Sequence, residues 1–450
     1  MTIKKIFYGV LTLITAAILS VAIYLNSLLP IITGYAAKNL CSDVFVSGRE
    51  PADIQAIDLN FSFIKLTKNS VDFKEKSVTS KFLWGKSKAI YREGFGATLL
   101  RDVAEDKLRK IKYPGGINPG YSQDTIKWPL GNIIPDTLTG INLKALGEVS
   151  KHLITDNSYN GDAFGFMVLH KGIPVAEAYK PKLNKNTRLL SWSMAKSYTN
   201  AIIGIMVKEK KLDIFQPAGI EEWKNDVRNK ITISDLMQMQ SGLKWNEDYG
   251  NRSDVTLMLH CESDMSHFAF DKPAEHPAGT FWYYSSGTTN IVNYLIRKQF
   301  SNDSLYYTYA NTRLFNKTGM PDVVWEADPT GTRVGSSYLY ATVRDYARFG
   351  LLFMNDGVFN GERILPEGWV KYSTTEASAS KGNYGSFFWL NKSKRFPSCP
   401  EDMYSCDGHD GQHIFILPTQ QLVVVVLGYS PRSKGGMDFD RLIKDVINTL

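Results

Sequence analysis

Apolar and polar positions along this chain change rhythm several times. Ile6 to Tyr24 is an uncharged apolar run that continues through Leu28-Leu29-Pro30-Ile31-Ile32. About 20 apolar residues suffice to cross a bilayer, so the run predicts a membrane-spanning helix. From residue 41 to about 110 the pattern shortens to alternation, as in Phe61/Phe63, Val71/Phe73 and Val78/Ser80/Phe82. A period of two predicts β-strands in a small subdomain. Pro114-Gly115-Gly116 and Pro119-Gly120 then mark a linker.

The main domain follows. Leu143 to Ile154 predicts a helix, and Phe164–His170 with Pro174–Tyr179 predicts a hairpin around Lys171-Gly172-Ile173. Ile231 to Met239 reads as a short helix capped by Ser234. A polar, aromatic and helical middle runs to about residue 360. Ile414–Leu417 and Leu422–Tyr429 then predict two strands joined by Pro418-Thr419-Gln420-Gln421. The run Val423 to Val426 suits a central strand buried on both faces. Asp438 to Leu450 predicts a closing amphipathic helix. Strands early, helices in the middle and strands late imply an α+β fold. One antiparallel sheet is built from both ends, flanked by helices, with a mainly helical insertion. The expected division is 1–40 anchor, 41–120 β-rich region and linker, and 121–450 main domain.

Charge changes this picture little. The net charge of +7 comes from 52 basic and 45 acidic residues that are interleaved along the chain. No basic stripe with aromatic interleaving is present, which excludes a nucleic-acid partner. Lys4 and Lys5 precede the apolar run and place the N-terminus in the cytoplasm, with the bulk of the chain exported. A retained signal anchor is expected, with Gly34-Tyr35-Ala36 as the alternative late cleavage site. An exported chain can oxidise its cysteines. Cys399 and Cys406 read as a small disulfide loop; Cys41 with Cys261 is then the only other intramolecular pairing, and the sequence does not show whether those two are close.

The informative chemistry lies at Ser193-Met194-Ala195-Lys196, at the head of the apolar run Ala201 to Val207. Positions i and i+3 share a helix face, so the lysine can reach the serine hydroxyl. A serine is a poor nucleophile until a neighbouring base takes its proton. A lysine can serve if burial disfavours its charged form. Ser-x-x-Lys also occurs at Ser62/Lys65, Ser241/Lys244 and Ser378/Lys381. Ser62 lies in a strand-like stretch, Gly242 follows Ser241, and Ser378 sits in a surface-like run. Only Ser193 heads a buried-looking helix. The plain alternative is a helix-capping serine with a surface lysine one turn on.

Two more stretches stand out. Pro277-Ala278-Gly279-Thr280-Phe281-Trp282-Tyr283-Tyr284-Ser285-Ser286-Gly287 clusters phenols and hydroxyls before an apolar helix. A phenolate can accept a serine proton if neighbouring cations lower its pKa. Gly408-His409-Asp410-Gly411-Gln412-His413 precedes the first late strand. His409 and His413 have helical zinc spacing but a strand-like context, so no metal is expected. No Gly-x-Ser-x-Gly elbow or phosphate-cradling glycine loop occurs, and no cofactor is expected.

Ser193-x-x-Lys196, then Tyr284-Ser285-Ser286, then His409-Asp410-Gly411, in that order, resemble the penicillin-recognising serine hydrolase family. The family embraces class C β-lactamases, D-alanyl-D-alanine carboxypeptidases, esterases and 6-aminohexanoate-dimer hydrolases. The resemblance covers residues 140 to 450 and includes Gln240-Ser241-Gly242-Leu243-Lys244-Trp245 and Leu339-Tyr340-Ala341-Thr342. It implies a β-lactamase/transpeptidase-like fold, with Ser193 as the acylated nucleophile and Lys196 as its partner. Tyr284 would be the proton shuttle. The backbone N–H groups of Ser193 and Gln412 would form the oxyanion hole, with Ser286, His409 and Gly411 lining the substrate. Ser286 stands where class C enzymes carry asparagine, and His409 where they carry the lysine of Lys-Thr-Gly. A histidine offers no permanent charge for a β-lactam carboxylate. The pattern therefore implies a small ester or linear amide as substrate, hydrolysed by a single-pass enzyme on the periplasmic side of a bacterial inner membrane. The rivals are a β-lactamase or peptidoglycan peptidase, and a non-catalytic binding module on the same fold.

Overall fold

The computed structural model describes residues 3–114, 122–136 and 140–450. The linker expected around Pro114 to Gly120 lies mostly outside the described residues. Helix α1 (Ile3–Phe45) is longer than the apolar run foretold, and the boundary expected at residue 40 falls inside it. Its first part, from Phe7 to Tyr24, exposes apolar side chains on all faces. By length and composition it can cross a membrane. From Leu29 onward the same helix is buried in protein.

What buries it is a four-stranded antiparallel sheet of β1 (Lys68–Asp72), β2 (Ser77–Phe82), β3 (Gly85–Arg92) and β4 (Gly96–Leu99), in that order. Ala36, Ala37, Leu40 and Cys41 pack on Val78, Ala89, Ala97 and Leu99. Small residues on both sides allow the backbones to approach closely. Gly34 shows the limit: a Cβ there would lie 2.8 Å from Arg101 Nη2 and 3.0 Å from the His260 carbonyl. The strands around Val71, Val78 and Phe82 were legible, but Phe61 and Phe63 fall in a turn. Ser62 has φ 41° there, so Ser62 and Lys65 are not on a strand.

The main sheet joins β5 (Asp162–His170), β6 (Ile173–Tyr179), β7 (Trp389–Leu390), β8 (Tyr404–Gly408), β9 (Gln412–Leu417) and β10 (Leu422–Tyr429). Its order is β7-β8-β9-β10-β5-β6, every pair antiparallel. Strand β10 is central, as its valine run requires. Val423 and Val425 belong to the core shared with α3 (Ala195–Lys208), α4 (Ser286–Lys298) and α5 (Val343–Met354). Val424 and Val426 face the other core, against α2 (Leu143–Thr155) and α6 (Phe439–Ile447). Helix α5 comes so close to the sheet that a Cβ on Gly350 would sit 2.5 Å from Val423 Cγ1. The helical middle lies between β6 and β7, and the sheet is closed by both ends of the domain.

Two local expectations are corrected. The short helix is Ile233–Met237, and its cap is Thr232, which accepts from the Asp235 N–H while Asp235 reaches back. The cysteines are all free thiols. Cys399 lies in the core with α2 and α6, whereas Cys406 lies in the core on the opposite face of the sheet. Side chains directed to opposite faces cannot meet the geometry of a disulfide.

Candidate active site

Ser193 sits in a single tight turn, Trp192–Met194, that runs directly into α3. The turn is anchored by the Ser191 N–H, which donates to the Leu339 carbonyl at 2.8 Å. Trp192 has φ 44°, a left-handed conformation that a bulky side chain avoids. Such strain costs about 1–3 kcal/mol and persists only where the surroundings enforce it. Here the indole is clamped by three rings: Tyr35 of α1 stacks on it at 6.2 Å, Tyr338 lies at 6.1 Å, and His409 meets it edge-on at 5.7 Å. The strained residue hands Ser193 to the mouth of the site, while Ala195 to Met206 disappear into the core.

Lys196 is 1% exposed. Its Nζ lies 2.9 Å from Ser193 Oγ, 3.1 Å from Ser286 Oγ and 3.0 Å from the Ser336 carbonyl. Burial lowers its pKa from 10.5 to about 8, and the charge of Glu247 holds it from falling further. At pH 7 the neutral fraction therefore rises from about 1 in 3,000 to about 1 in 10. The Tyr284 side chain lies beside Ser193, and its ring lies 4.8 Å from Lys196 Nζ. Trp389 stacks on Tyr284 at 5.3 Å and Tyr384 abuts it edge-on at 5.9 Å. Burial first, then the Glu247 charge, push the phenol well above its ordinary value. It is a protonated phenol at neutral pH, not the phenolate that neighbouring cations would have produced.

Ser286 opens α4, whose cap is Ser285 accepting from the Thr288 N–H at 3.1 Å. The Glu247 carboxylate sits at that helix start. It accepts from the Ser286 N–H at 2.9 Å, Ser286 Oγ at 2.5 Å, the Tyr249 hydroxyl at 2.9 Å and Trp245 Nε1 at 2.5 Å. A carboxylate there also answers the positive end of the helix. Glu247, Tyr249 and the Ser336 carbonyl were missed in the sequence. The one signal was a carboxylate between aromatic residues, in Trp245-Asn246-Glu247-Asp248-Tyr249, directly after the Gln240–Trp245 stretch.

His409 comes to the mouth of the site. It stacks on Tyr249 at 4.8 Å, and its side chain is 39% exposed. Residues His409–Gly411 form a tight turn between β8 and β9, not a strand. His413 points elsewhere, to Asp407 at 3.1 Å and onto Phe415 and Phe439. Asp407 is buried, yet His413 and Arg395 hold its carboxyl well below the usual range. Gly411 has φ 93°, and a Cβ there would press to 3.0 Å from Ser430 Cβ. Gln412 spends its side chain on the Gly428 backbone, donating at 2.6 Å and accepting at 2.9 Å. Gly408, opposite Gln412 in the ladder, is the residue that touches the nucleophile turn: a Cβ on it would come 2.3 Å from the Ser191 carbonyl oxygen.

A serine at the head of a buried helix, a buried lysine three residues on and a tyrosine beside them are the features of a class of serine hydrolases working through an acyl-enzyme. The Beta-lactamase family model matches residues 152–445, and the chain belongs to that family. A 6-aminohexanoate-dimer hydrolase of Paenarthrobacter ureafaciens is 24% identical over 294 residues, 59% of this chain and 72% of its own length. Among solved structures, a putative 6-aminohexanoate-dimer hydrolase from Bacillus anthracis matches with TM-score 0.56 and 23% identity, over 64% of this chain and 80% of its own. A penicillin-binding protein homologue from Caulobacter crescentus matches with TM-score 0.55 and 16% identity, over 71% and 99%. These structural likenesses establish the β-lactamase/transpeptidase-like fold.

Proposed function

We propose that this protein is an exported, membrane-anchored serine hydrolase that cleaves a small ester or linear amide through an acyl-enzyme on Ser193. The observation that carries the reading is the 2.9 Å contact between Ser193 Oγ and a lysine whose burial leaves it partly neutral. Neutral Lys196 accepts the serine proton as Oγ attacks the carbonyl carbon. The carbonyl π pair moves to oxygen, stabilised by the N–H of Ser193 and one from the His409–Gln412 turn. As the tetrahedral intermediate collapses, the C–O or C–N bond breaks and the leaving group takes its proton from Tyr284, resupplied by Lys196. Water then repeats the sequence on the acyl-enzyme, releasing a carboxylic acid and regenerating Ser193.

The walls of the site support the substrate class. Tyr249, Trp192, Tyr284 and His409 surround the nucleophile with rings. The nearby cation Arg395 is paired to Asp407 at 2.5 Å and covers Trp389. Among the described residues near the site, the permanent cation Arg395 is already engaged by a carboxylate, which disfavours a β-lactam carboxylate there. The amide-cleaving relative named above fits the same reading. Retention of the anchor is supported by α1 itself, whose residues 29–45, Gly34 and Ala36 included, are built into the folded protein. A fluorophosphonate probe should label Ser193, and the labelled enzyme should lose turnover of p-nitrophenyl butyrate. Label on Ser241, on Ser378 or on no residue sinks the assignment.

A further inference from the structure

The four-stranded sheet beside α1 has no part in the chemistry above, yet it is placed in a particular way against the membrane helix. Strand β3 runs alongside α1, with Ser87 Oγ 2.7 Å from Thr33 Oγ1 and Gly85 against Leu29. The β2–β3 turn therefore reaches the level of Asn26, whose Oδ1 accepts from Trp84 Nε1 at 3.2 Å. From Phe7 to Asn26 the helix rises ~30 Å, the thickness of a hydrocarbon core. If that segment spans, the turn lies at the lipid headgroups.

The residues at the turn match that level. Leu83 and Trp84 are 61% and 58% exposed, and Phe63, beside Phe82, is exposed as well. Leu83 takes φ 50°, where a soluble hairpin would use glycine or asparagine. A strained, exposed leucine next to an exposed tryptophan is poorly suited to water and well suited to an interfacial belt. One step back from the tip, Lys68, Lys81 and Lys86 face one another across three strands. Like charges directly opposite repel. All three are exposed, and none pairs with a carboxylate among the described residues. The acidic residues of the sheet and its turns, Asp72, Glu75 and Glu93, sit at the opposite end, with Lys74 and Lys76. Only the membrane end carries unbalanced positive charge.

We infer that the β2–β3 turn is a membrane-docking surface: Leu83, Trp84 and Phe63 enter the lipid interface while the Lys68–Lys81–Lys86 row binds anionic phosphates of the headgroups. This rests on reading α1 as a membrane span. It gives the small sheet a role, which is to fix the orientation of the catalytic domain on the bilayer.

The test uses the full chain in vesicles of phosphatidylcholine with phosphatidylglycerol, containing lipid brominated near the carbonyl end of its acyl chains. Bromine quenches tryptophan at short range. Wild-type emission should be quenched, and Trp84→Phe should remove the quenched component. The triple variant Lys68→Gln/Lys81→Gln/Lys86→Gln should lose quenching in vesicles with phosphatidylglycerol. Flotation in alkaline carbonate reports separately on the helix. Equal quenching in wild type and Trp84→Phe, with both proteins floating, overturns the docking surface and leaves the span intact. Failure to float overturns both. A triple variant quenched like wild type overturns the phosphate contact.

Discussion

Two lysines are buried back to back in this molecule, and their partners differ. Lys38 of α1 is 3% exposed, pairs directly with Glu326, donates to Ser42 at 2.9 Å and lies 3.9 Å from the Tyr338 ring. Lys196 is 1% exposed and also has serine partners and a glutamate near. Its glutamate is held off, however: Glu247 bonds Ser286, and Ser286 bonds the lysine. The segment Ser336–Tyr338 separates the two pockets, its Ser336 carbonyl on Lys196 and its Tyr338 ring on Lys38. A direct ion pair favours the charged form, whereas hydroxyl and carbonyl partners leave burial to depress the pKa. One interposed hydroxyl separates a lysine held in a direct ion pair from the one that the proposed mechanism uses as a base.

The largest effect should come from removing the base. Lys196→Met should lower acylation roughly a thousandfold, as loss of general-base catalysis does. The folded protein should gain stability on the order of 1 kcal/mol at pH 7, because the variant no longer buries a disfavoured charge. The sign follows from the depressed pKa. The burial penalty is full below pH 8 and vanishes as pH rises towards the unfolded value of 10.5. The stability gap between variant and wild type should therefore close over that window in denaturant titrations. Lys38→Met should do the reverse. It leaves Glu326 buried and unpaired, which costs about 3–5 kcal/mol, while turnover per folded molecule stays within a few-fold of wild type. Lys38→Met/Glu326→Gln should recover most of the loss. If Lys38→Met silences turnover in the folded state, the two pockets are not distinct.

Tyr284→Phe should lower acylation on the order of a hundredfold with substrate binding little changed, since it removes the proton path and keeps the ring. The neighbouring Tyr283→Phe is the register control and should be near neutral, because Tyr283 is exposed. Glu247→Gln is subtler. It removes the charge that holds the Lys196 pKa up, so the acid limb of the kcat/KM profile should move to lower pH. An unmoved limb would mean that Glu247 only braces Ser286. The smallest and least direct effect concerns substrate. Short esters and linear amides should outrun nitrocefin at pH 7, and a wide margin for nitrocefin would restore the β-lactamase alternative.

The sequence carried the Ser193–Lys196 contact because the two residues lie three apart at the head of a buried helix, where spacing and context together predict it. It carried the central strand because four consecutive valines must be covered on both faces. Glu247 was hidden because its partners, Ser286 and Lys196, are remote along the chain. The disulfide misled because spacing between Cys399 and Cys406 says nothing of which sheet face each occupies. Helix α1 outran its apolar signal for a related reason. Lys38, Asn39, Ser42 and Asp43 read as the end of a membrane segment, yet they are buried and mostly paired inside the protein. The strained Trp192 was equally illegible, since only its clamp of Tyr35, Tyr338 and His409 makes the conformation tenable.

The central claim is that Lys196, made partly neutral by burial, activates Ser193. The most direct test is the rate of fluorophosphonate labelling at Ser193, mapped by peptide mass, from pH 5.5 to 9.5. The account predicts a rate that climbs about tenfold per pH unit and levels near pH 8 in wild type, and a low rate without that rise in Lys196→Met. A flat wild-type profile, or the same rise in Lys196→Met, would contradict it.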